Sequence, residues 1–235
     1  MIHLTERLRA IADLVPPCGA AADIGTDHGY IPIYLCQAGR IRRAIASDIH
    51  EGPAERARIH AAAEHLAGKI SVRVGPGLLP LAPGEADGAV IAGMGGLMIC
   101  RILEEGRHIA ENMDWLVLQP QNHSSDLRRW LAAHGYCISR ERLVKDGGQI
   151  YQILQVRRGV MEPMTEAEEE AGLWRDRRED PLFPEFLGKL IRKREWTIQG
   201  VAEDTENAVN AEKRRRAVKE KAELEALLWK YTQET

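Results

Sequence analysis

The 235-residue sequence lacks the marks of several large protein classes. Its four cysteines, Cys18, Cys36, Cys100 and Cys137, are scattered with no C-x-x-C pair. That argues against a disulfide or zinc framework and for reduced thiols in a cytoplasmic protein. No apolar run approaches the length that crosses a bilayer, so no membrane partner is expected. The opening stretch MIHLTERLRAIADLV carries acids and arginines at helical spacing where a signal peptide would have its apolar region. His28, His50, His60, His65, His108, His123 and His134 show no H-E-x-x-H or cysteine spacing, and no metal is expected. A G-x-S-x-G elbow and a Walker loop are absent too. A net charge of −3 argues against a uniformly basic nucleic-acid binder. Residues 1–158 hold 18 Lys+Arg against 17 Asp+Glu, and residues 159–235 hold 14 against 18, so acidity concentrates in the C-terminal third.

What is present is an alternation. An amphipathic opening helix (Leu4, Leu8, Ile11, and Leu14 or Val15 on one side) stops at Pro16-Pro17. Strand-like runs AAADIG, RAIASDI, KISVRVG, GAVIAGMGG and WLVLQPQ then alternate with helical ones, one of them from about Pro53 to Leu66. Two last strands, YCISRERLV and QIYQILQV, flank Lys145-Asp146-Gly147-Gly148, a hairpin signal. Repeated strand–helix units imply a mostly parallel α/β sheet covered on both faces. The terminal hairpin inserts the last strand antiparallel, as in the Rossmann-like class I methyltransferases with their seven-stranded sheet. After Gly159 the composition turns acidic and helical. Two charged helices follow, with Asp204-Thr205-Glu206-Asn207 as the turn between them. The reading is a domain at 1–158 and a coiled-coil-like helical hairpin at 159–235, with Arg194 interrupting one apolar stripe.

In such a sheet, ligands sit beyond the carboxyl ends of the strands where the strand order reverses. The first strand ends Asp23-Ile24-Gly25-Thr26-Asp27-His28-Gly29, a D-x-G-x-D-x-G spacing rather than the dinucleotide G-x-G-x-x-G. Gly25 and Gly29 allow close backbone approach, and Asp23 can accept from a ligand's amine. An acid-rich turn suits a charged amino-acid tail, such as that of S-adenosylmethionine, better than a diphosphate. Asp48 closes the second strand where a carboxylate can bind both hydroxyls of a ribose, or can serve as a helix cap. Gly75-Pro76-Gly77-Leu78 and Ala92-Gly93-Met94-Gly95-Gly96 are glycine-rich strand ends that either bare backbone to a ligand or simply turn. Leu118-Gln119-Pro120-Gln121-Asn122 places amides able to match a base edge. His60 and His65 read as a solvated helix face, as does Lys213-Arg214-Arg215-Arg216, although that run could touch phosphates.

These pieces follow a known order. IADLVPPCGAAADIGTDHGYIPIYL, IASDI, GPGLLPL, VIAGMGG, LQPQN and GYCISRERLVKDGGQIYQIL resemble the bacterial tRNA (adenine-22-N1)-methyltransferase family, TrmK, over essentially the whole chain. The resemblance implies methyl transfer from S-adenosylmethionine to N1 of a D-arm adenosine in tRNA, by a cytoplasmic monomer. It implies a cofactor set of Asp23, Gly25, His28, Asp48, Ile49, Gly75, Gly77, Leu78, Ala92, Gly93, Met94 and Gly95. It places Asp27, His28, Gln119 and Pro120 at the catalytic centre, with Tyr30 or Tyr34 available to stack on the base. Two departures stand out. Pro76 replaces the acid of the family's G-D-G-L turn, and the fifth-strand motif reads L-Q-P-Q-N, leaving Gln121 and Asn122 as alternatives for contacting the base. Methylation of another substrate, or tRNA binding without catalysis, are the competing readings.

Overall fold

A computed structural model describes residues 1–201 and 208–234. The chain divides into two compact units, Met1–Glu162 and Pro163–Thr235.

The first unit begins with α1 (Glu6–Leu14), capped by the Thr5 hydroxyl accepting from the Leu8 amide. There follow β1 (Cys18–Ile24), α2 (Tyr30–Gln37), β2 (Ile41–Asp48), α3 (Glu51–Ala63) and β3 (Ile70–Val74). The second half runs β4 (Gly88–Met94), α4 (Gly96–Glu105), α5 (Arg107–Ala110), β5 (Trp115–Pro120), α6 (Ser124–Ala133), β6 (Tyr136–Asp146) and β7 (Gln149–Arg158). All seven strands form one sheet in the order β3-β2-β1-β4-β5-β7-β6. The first five pair in parallel, while β7 lies antiparallel between β5 and β6. The hairpin that produces this insertion turns on Gly147 and Gly148, both at positive φ, the backbone a tight two-residue turn requires.

Alternation along the strands supplies two cores. Ala21, Ala44, Ala46, Val90 and Val117 face Ile11, Leu14, Val15, Ile33 and Leu35 of the first two helices. The interleaved Ile24, Ile45, Ala89, Ile91, Leu116 and Leu118 are buried as well, and α4 packs against β4 and β5. Gly88 pairs with Trp115 across β4 and β5, and a Cβ there would lie 2.2 Å from the indole, so only glycine admits that ring. Beneath the hairpin, the fully buried Arg128 of α6 donates to Glu141 Oε1 from Nε (2.9 Å) and Nη2 (2.7 Å), and to Gln152 Oε1 (2.8 Å).

The second unit holds α7 (Glu166–Ala171), α8 (Trp174–Arg177), α9 (Phe183–Gly200) and α10 (Ala208–Glu234). Thr165 and Glu168 close a reciprocal capping box on α7. The last two helices run antiparallel, because Phe183 meets Tyr231 while Arg194 meets Glu220 and Glu195 meets Lys221. Leu187, Leu190 and Ile191 on α9 are buried, as are Ala217 and Leu224 on α10. Arg194, which breaks the apolar stripe in sequence, pairs with both Glu170 and Glu220. The expected turn at Asp204-Thr205-Glu206-Asn207 lies outside the described residues. Among the described residues no helix is long and apolar enough to cross a membrane.

Candidate active site

The strand order reverses between β1 and β4, and a cavity of about 330 Å³ opens there. Its floor is the turn after β1. Gly25, Asp27 and Gly29 all have positive φ (75°, 43° and 70°), so the chain doubles back sharply before α2. The Gly25 and Thr26 amides both donate to Ser47 O (2.8 and 3.0 Å), which ties the turn to β2. A Cβ on Gly25 would lie 2.2 Å from Met94 Cε. On Gly29 it would lie 3.3 Å from the Ala57 Cβ of α3.

Asp23 ends β1 at the cavity, buried, with Oδ2 accepting from Thr26 Oγ1 at 2.6 Å. Burial, opposed in part by the Thr26 hydrogen bond and aided by the nearby Asp48, pushes its pKa up from 3.8 to about 6. Asp27 pairs with Arg56 of α3, and its other oxygen lies 3.4 Å from His28 Nε2. Arg7 enters from α1. Its Nη1 donates to Gln119 Oε1 (2.9 Å), and its guanidinium lies over the Tyr151 ring (5.3 Å). One cavity is thus lined by a fixed cation, Arg7, and two acids, Asp23 and Asp27.

Of the residues expected from the sequence, Asp23, Gly25, Asp27, His28, Ala92 and Gly93 line this cavity. Asp48 is half-buried at the end of β2, where Oδ1 accepts from the His50 amide (2.9 Å). Ile49 beside it is exposed. Gly75 is brought alongside by its amide's bond to Asp48 O (2.9 Å), and Gly77 backs onto Ile102. Pro76 is exposed.

Other expected residues lie away from the cavity lining. The Leu78 side chain is core, packed under Gly106, and presents no surface to a ligand. Gly95 and Gly96 are small because the Asn122–His123 segment passes against them: added Cβ atoms would lie 2.8 Å from Asn122 Oδ1 and 2.3 Å from His123 O. Met94 lies over Gly25 outside the cavity lining. Gln119 and Pro120 do not face the cavity: both are buried. Gln119 Oε1 accepts from Arg7, from the Gly93 amide (3.2 Å) and from Gln121 Nε2 (3.2 Å), while Nε2 donates to Pro120 O (2.9 Å). An amide whose oxygen accepts three hydrogen bonds orients the groups that donate to it, Arg7, Gly93 and Gln121. Gln121 serves this network, and Asn122 borders Gly95; both are exposed. His65 is exposed as expected. His60 is not on a solvated face: its Nδ1 lies 2.9 Å from His28 O, and its ring stacks on His28 and Tyr30. Tyr34 is core.

Sequence reasoning passed over Arg7, Thr26 and Ile31. The one available signal for Arg7 was its place between Leu4 and Leu8 on the apolar side of the opening helix. Among the described residues, no cluster of His, Cys, Asp and Glu has the arrangement of a metal site.

Comparison with known proteins identifies the family. A methyltransferase-domain family matches residues 4–154. The tRNA (adenine(22)-N(1))-methyltransferase of Bacillus subtilis (strain 168) is 32% identical over 236 residues, covering 97% of this chain and 96% of its own length. The crystal structure of the B. subtilis m1A22 tRNA methyltransferase TrmK superposes with a TM-score of 0.88 at 27% identity, covering 97% of this chain and 100% of that one. A Streptococcus pneumoniae protein solved in complex with S-adenosyl-L-methionine superposes with a TM-score of 0.86 at 32% identity, covering 96% of this chain and all of that one. By sequence along nearly its whole length, and by the fold that carries its cavity, this chain belongs to the tRNA (adenine(22)-N(1))-methyltransferase family.

Proposed function

We propose that this protein methylates N1 of adenosine 22 in the D-arm of tRNA, using S-adenosylmethionine, and acts as a monomer in the cytoplasm. The observation that carries the reading is the mixed-charge cavity at the β1/β4 reversal. The amino-acid end of the cofactor is a zwitterion, and the cavity has an acid and a guanidinium to match it. Asp23 would take the ammonium, Arg7 the carboxylate, and Asp48 the ribose hydroxyls. Gly25 and Gly93 bare backbone where a side chain would fill the space. Pro76 is exposed and carries no acid, so the cofactor's adenine amino group would be met by a backbone carbonyl or another side chain.

S-adenosylmethionine supplies an electrophilic methyl on a sulfonium. Adenine N1 carries a lone pair and no proton, so the protein's task is alignment and charge rather than deprotonation before transfer. Because N1 is engaged in a base pair, the base must be taken unpaired or extruded. Tyr30, 38% exposed at the cavity, would stack on it. The product base is cationic, and the carboxylates of Asp23 and Asp27 favour a positive charge formed nearby. Gln119 holds Arg7 and Gly93 in place.

The second unit's Lys213-Arg214-Arg215-Arg216 run is exposed on α10, with Arg215 paired to Glu212 and Arg216 to Glu220. It would meet phosphate as part of a salt-sensitive contact. The test is incubation of purified protein and S-adenosylmethionine with a tRNA transcript, followed by mapping of the methylated nucleoside. N1-methyladenosine at position 22 supports the reading, and its absence with cofactor binding intact redirects it to another substrate. No detectable cofactor binding by calorimetry would favour a non-catalytic tRNA binder.

A further inference from the structure

The face of α3 that turns toward the β1–α2 turn holds it at three successive points. Arg56 pairs with Asp27, Ala57 closes against Gly29, and His60 reaches His28. A carbonyl can only accept, so the 2.9 Å contact to His28 O makes His60 Nδ1 the donor and fixes the tautomer of the ring. The same ring is nearly parallel to two others. Centroid separations are 5.1 Å for His28–Tyr30, 5.5 Å for His28–His60 and 5.4 Å for Tyr30–His60, with interplanar angles of 8°, 15° and 8°. Three rings, one each from the β1–α2 turn, α2 and α3, therefore share one orientation beside the cavity, and two of them, His28 and Tyr30, line it.

We infer that His60 is a positioning residue for methyl transfer: by supporting His28 and Tyr30 from α3 it fixes the plane on which the target base stacks. The inference rests on the tRNA adenine-N1 reading of this site. His28 illustrates the need for such support. Its Nε2 lies at hydrogen-bond margin, 3.4 Å from Asp27 Oδ2, and its Nδ1 is buried with no hydrogen-bond partner among the described residues, so its own polar contacts hold the ring weakly. The base would be oriented by stacking, which constrains the plane of a ring far better than its rotation within that plane. A platform whose own plane is set by a third ring thus fixes the tilt of the base, which together with its rotation in the plane aims the in-plane lone pair of N1 at the methyl carbon. Neither His60 nor any other residue of α3 lines the cavity itself, so the effect passes through the lining residues that His60 touches, His28 and Tyr30.

The experiment compares wild type with His60→Ala, His60→Phe (ring kept, hydrogen bond lost) and His60→Asn (donor kept, ring lost). Each is assayed for methylation of the tRNA transcript, for S-adenosylmethionine affinity by calorimetry, and for melting temperature. The fluorescence of a transcript carrying 2-aminopurine at position 22, which dims when the base stacks on a ring, is read in parallel. His60→Ala is expected to lose about tenfold in kcat/KM for tRNA, the order that one base–aromatic stack contributes, with cofactor affinity within about twofold of wild type. Its bound 2-aminopurine is expected to stay brighter than with wild type, and Phe and Asn are each expected to recover part of the loss. The inference is overturned if His60→Ala methylates and quenches like wild type. It is equally overturned if its loss follows cofactor affinity or melting temperature, or if neither Phe nor Asn improves on Ala. A wild-type protein that leaves adenosine 22 unmethylated is a separate result, and it refutes the proposed function rather than the role of His60.

Discussion

Two buried acids in the first unit have opposite surroundings. Glu141, at the hairpin side of the sheet, is 4% exposed and accepts two hydrogen bonds from a fully buried arginine. Asp23, at the reversal of strand order, is 7% exposed and has one hydroxyl partner and a second acid nearby. The first arrangement is complete in itself and ties α6 to β6 and β7. The second leaves a carboxylate charged at pH 7 against the preference of its environment, with its pKa lifted to about 6. A fold tolerates such a group where something else completes it, and on the proposed function the partner of Asp23 is the cofactor's ammonium.

Breaking the complete pair should have the largest effect. Arg128→Ala strands a buried carboxylate and is expected to cost roughly 3–5 kcal/mol, measurable by urea unfolding. Replacing Arg128 and Glu141 together by Met and Leu should recover most of that loss, and a double variant no better than the single would refute this account of the pair.

The incomplete acid should behave in the opposite way. The rise from 3.8 to about 6 corresponds to about 3 kcal/mol of strain in the ionised form. Since the folded pKa lies above the unfolded one, the fold binds the extra proton. Asp23 therefore costs nothing below about pH 4, and the penalty grows as pH rises from there to about 6. Asp23→Asn is thus expected to stabilise the ligand-free protein at pH 7 by up to about 3 kcal/mol, with the gain vanishing near pH 4. The same substitution should abolish measurable S-adenosylmethionine binding. In the wild type, affinity for the cofactor should fall as pH drops below about 6. Thermal melts across pH together with calorimetry decide this, and a variant that is both destabilised at pH 7 and fully able to bind would contradict it.

Gly25→Ala comes next. A Cβ there lies 2.2 Å from the end of the Met94 side chain and on backbone at a φ of 75°. Methionine can move aside, so the expected stability loss is about 1–2 kcal/mol, from the left-handed backbone. Cofactor affinity should drop more than stability does, because Gly25 itself lines the cavity and its new methyl intrudes there. Smallest of all should be Arg214→Ala on α10: about a threefold rise in KM for tRNA or less, and a salt dependence shallower by up to about one phosphate contact. A large, salt-independent effect there would mean that the second unit reads more than phosphate.

The contrast also explains what was legible in the sequence. The acid at Asp23 announced itself through its setting, a strand end followed by Gly25 and Gly29, because a turn at positive φ demands glycine locally. The hairpin announced itself through Gly147-Gly148 for the same reason. Gln119 misled, since an amide at a strand end looks identical whether it faces a cavity or is buried beneath it. His60 misled because helical spacing placed it among exposed neighbours such as Ile59, and only the approach of α3 to the turn after β1 made it an inward ring.

The sequence by itself determined the order of strands and helices, the inserted last strand and the turn that carries Asp23. These follow from backbone requirements and apolar periodicity within about ten residues. Tertiary structure alone decided that Arg7 meets Gln119 across 112 residues, that Arg128 is neutralised by Glu141, and that His60 joins His28 and Tyr30. Those contacts depend on which strands become neighbours and on the rotation of each helix against the sheet. Both are set by the packing of the whole core, to which no short stretch of sequence holds the key.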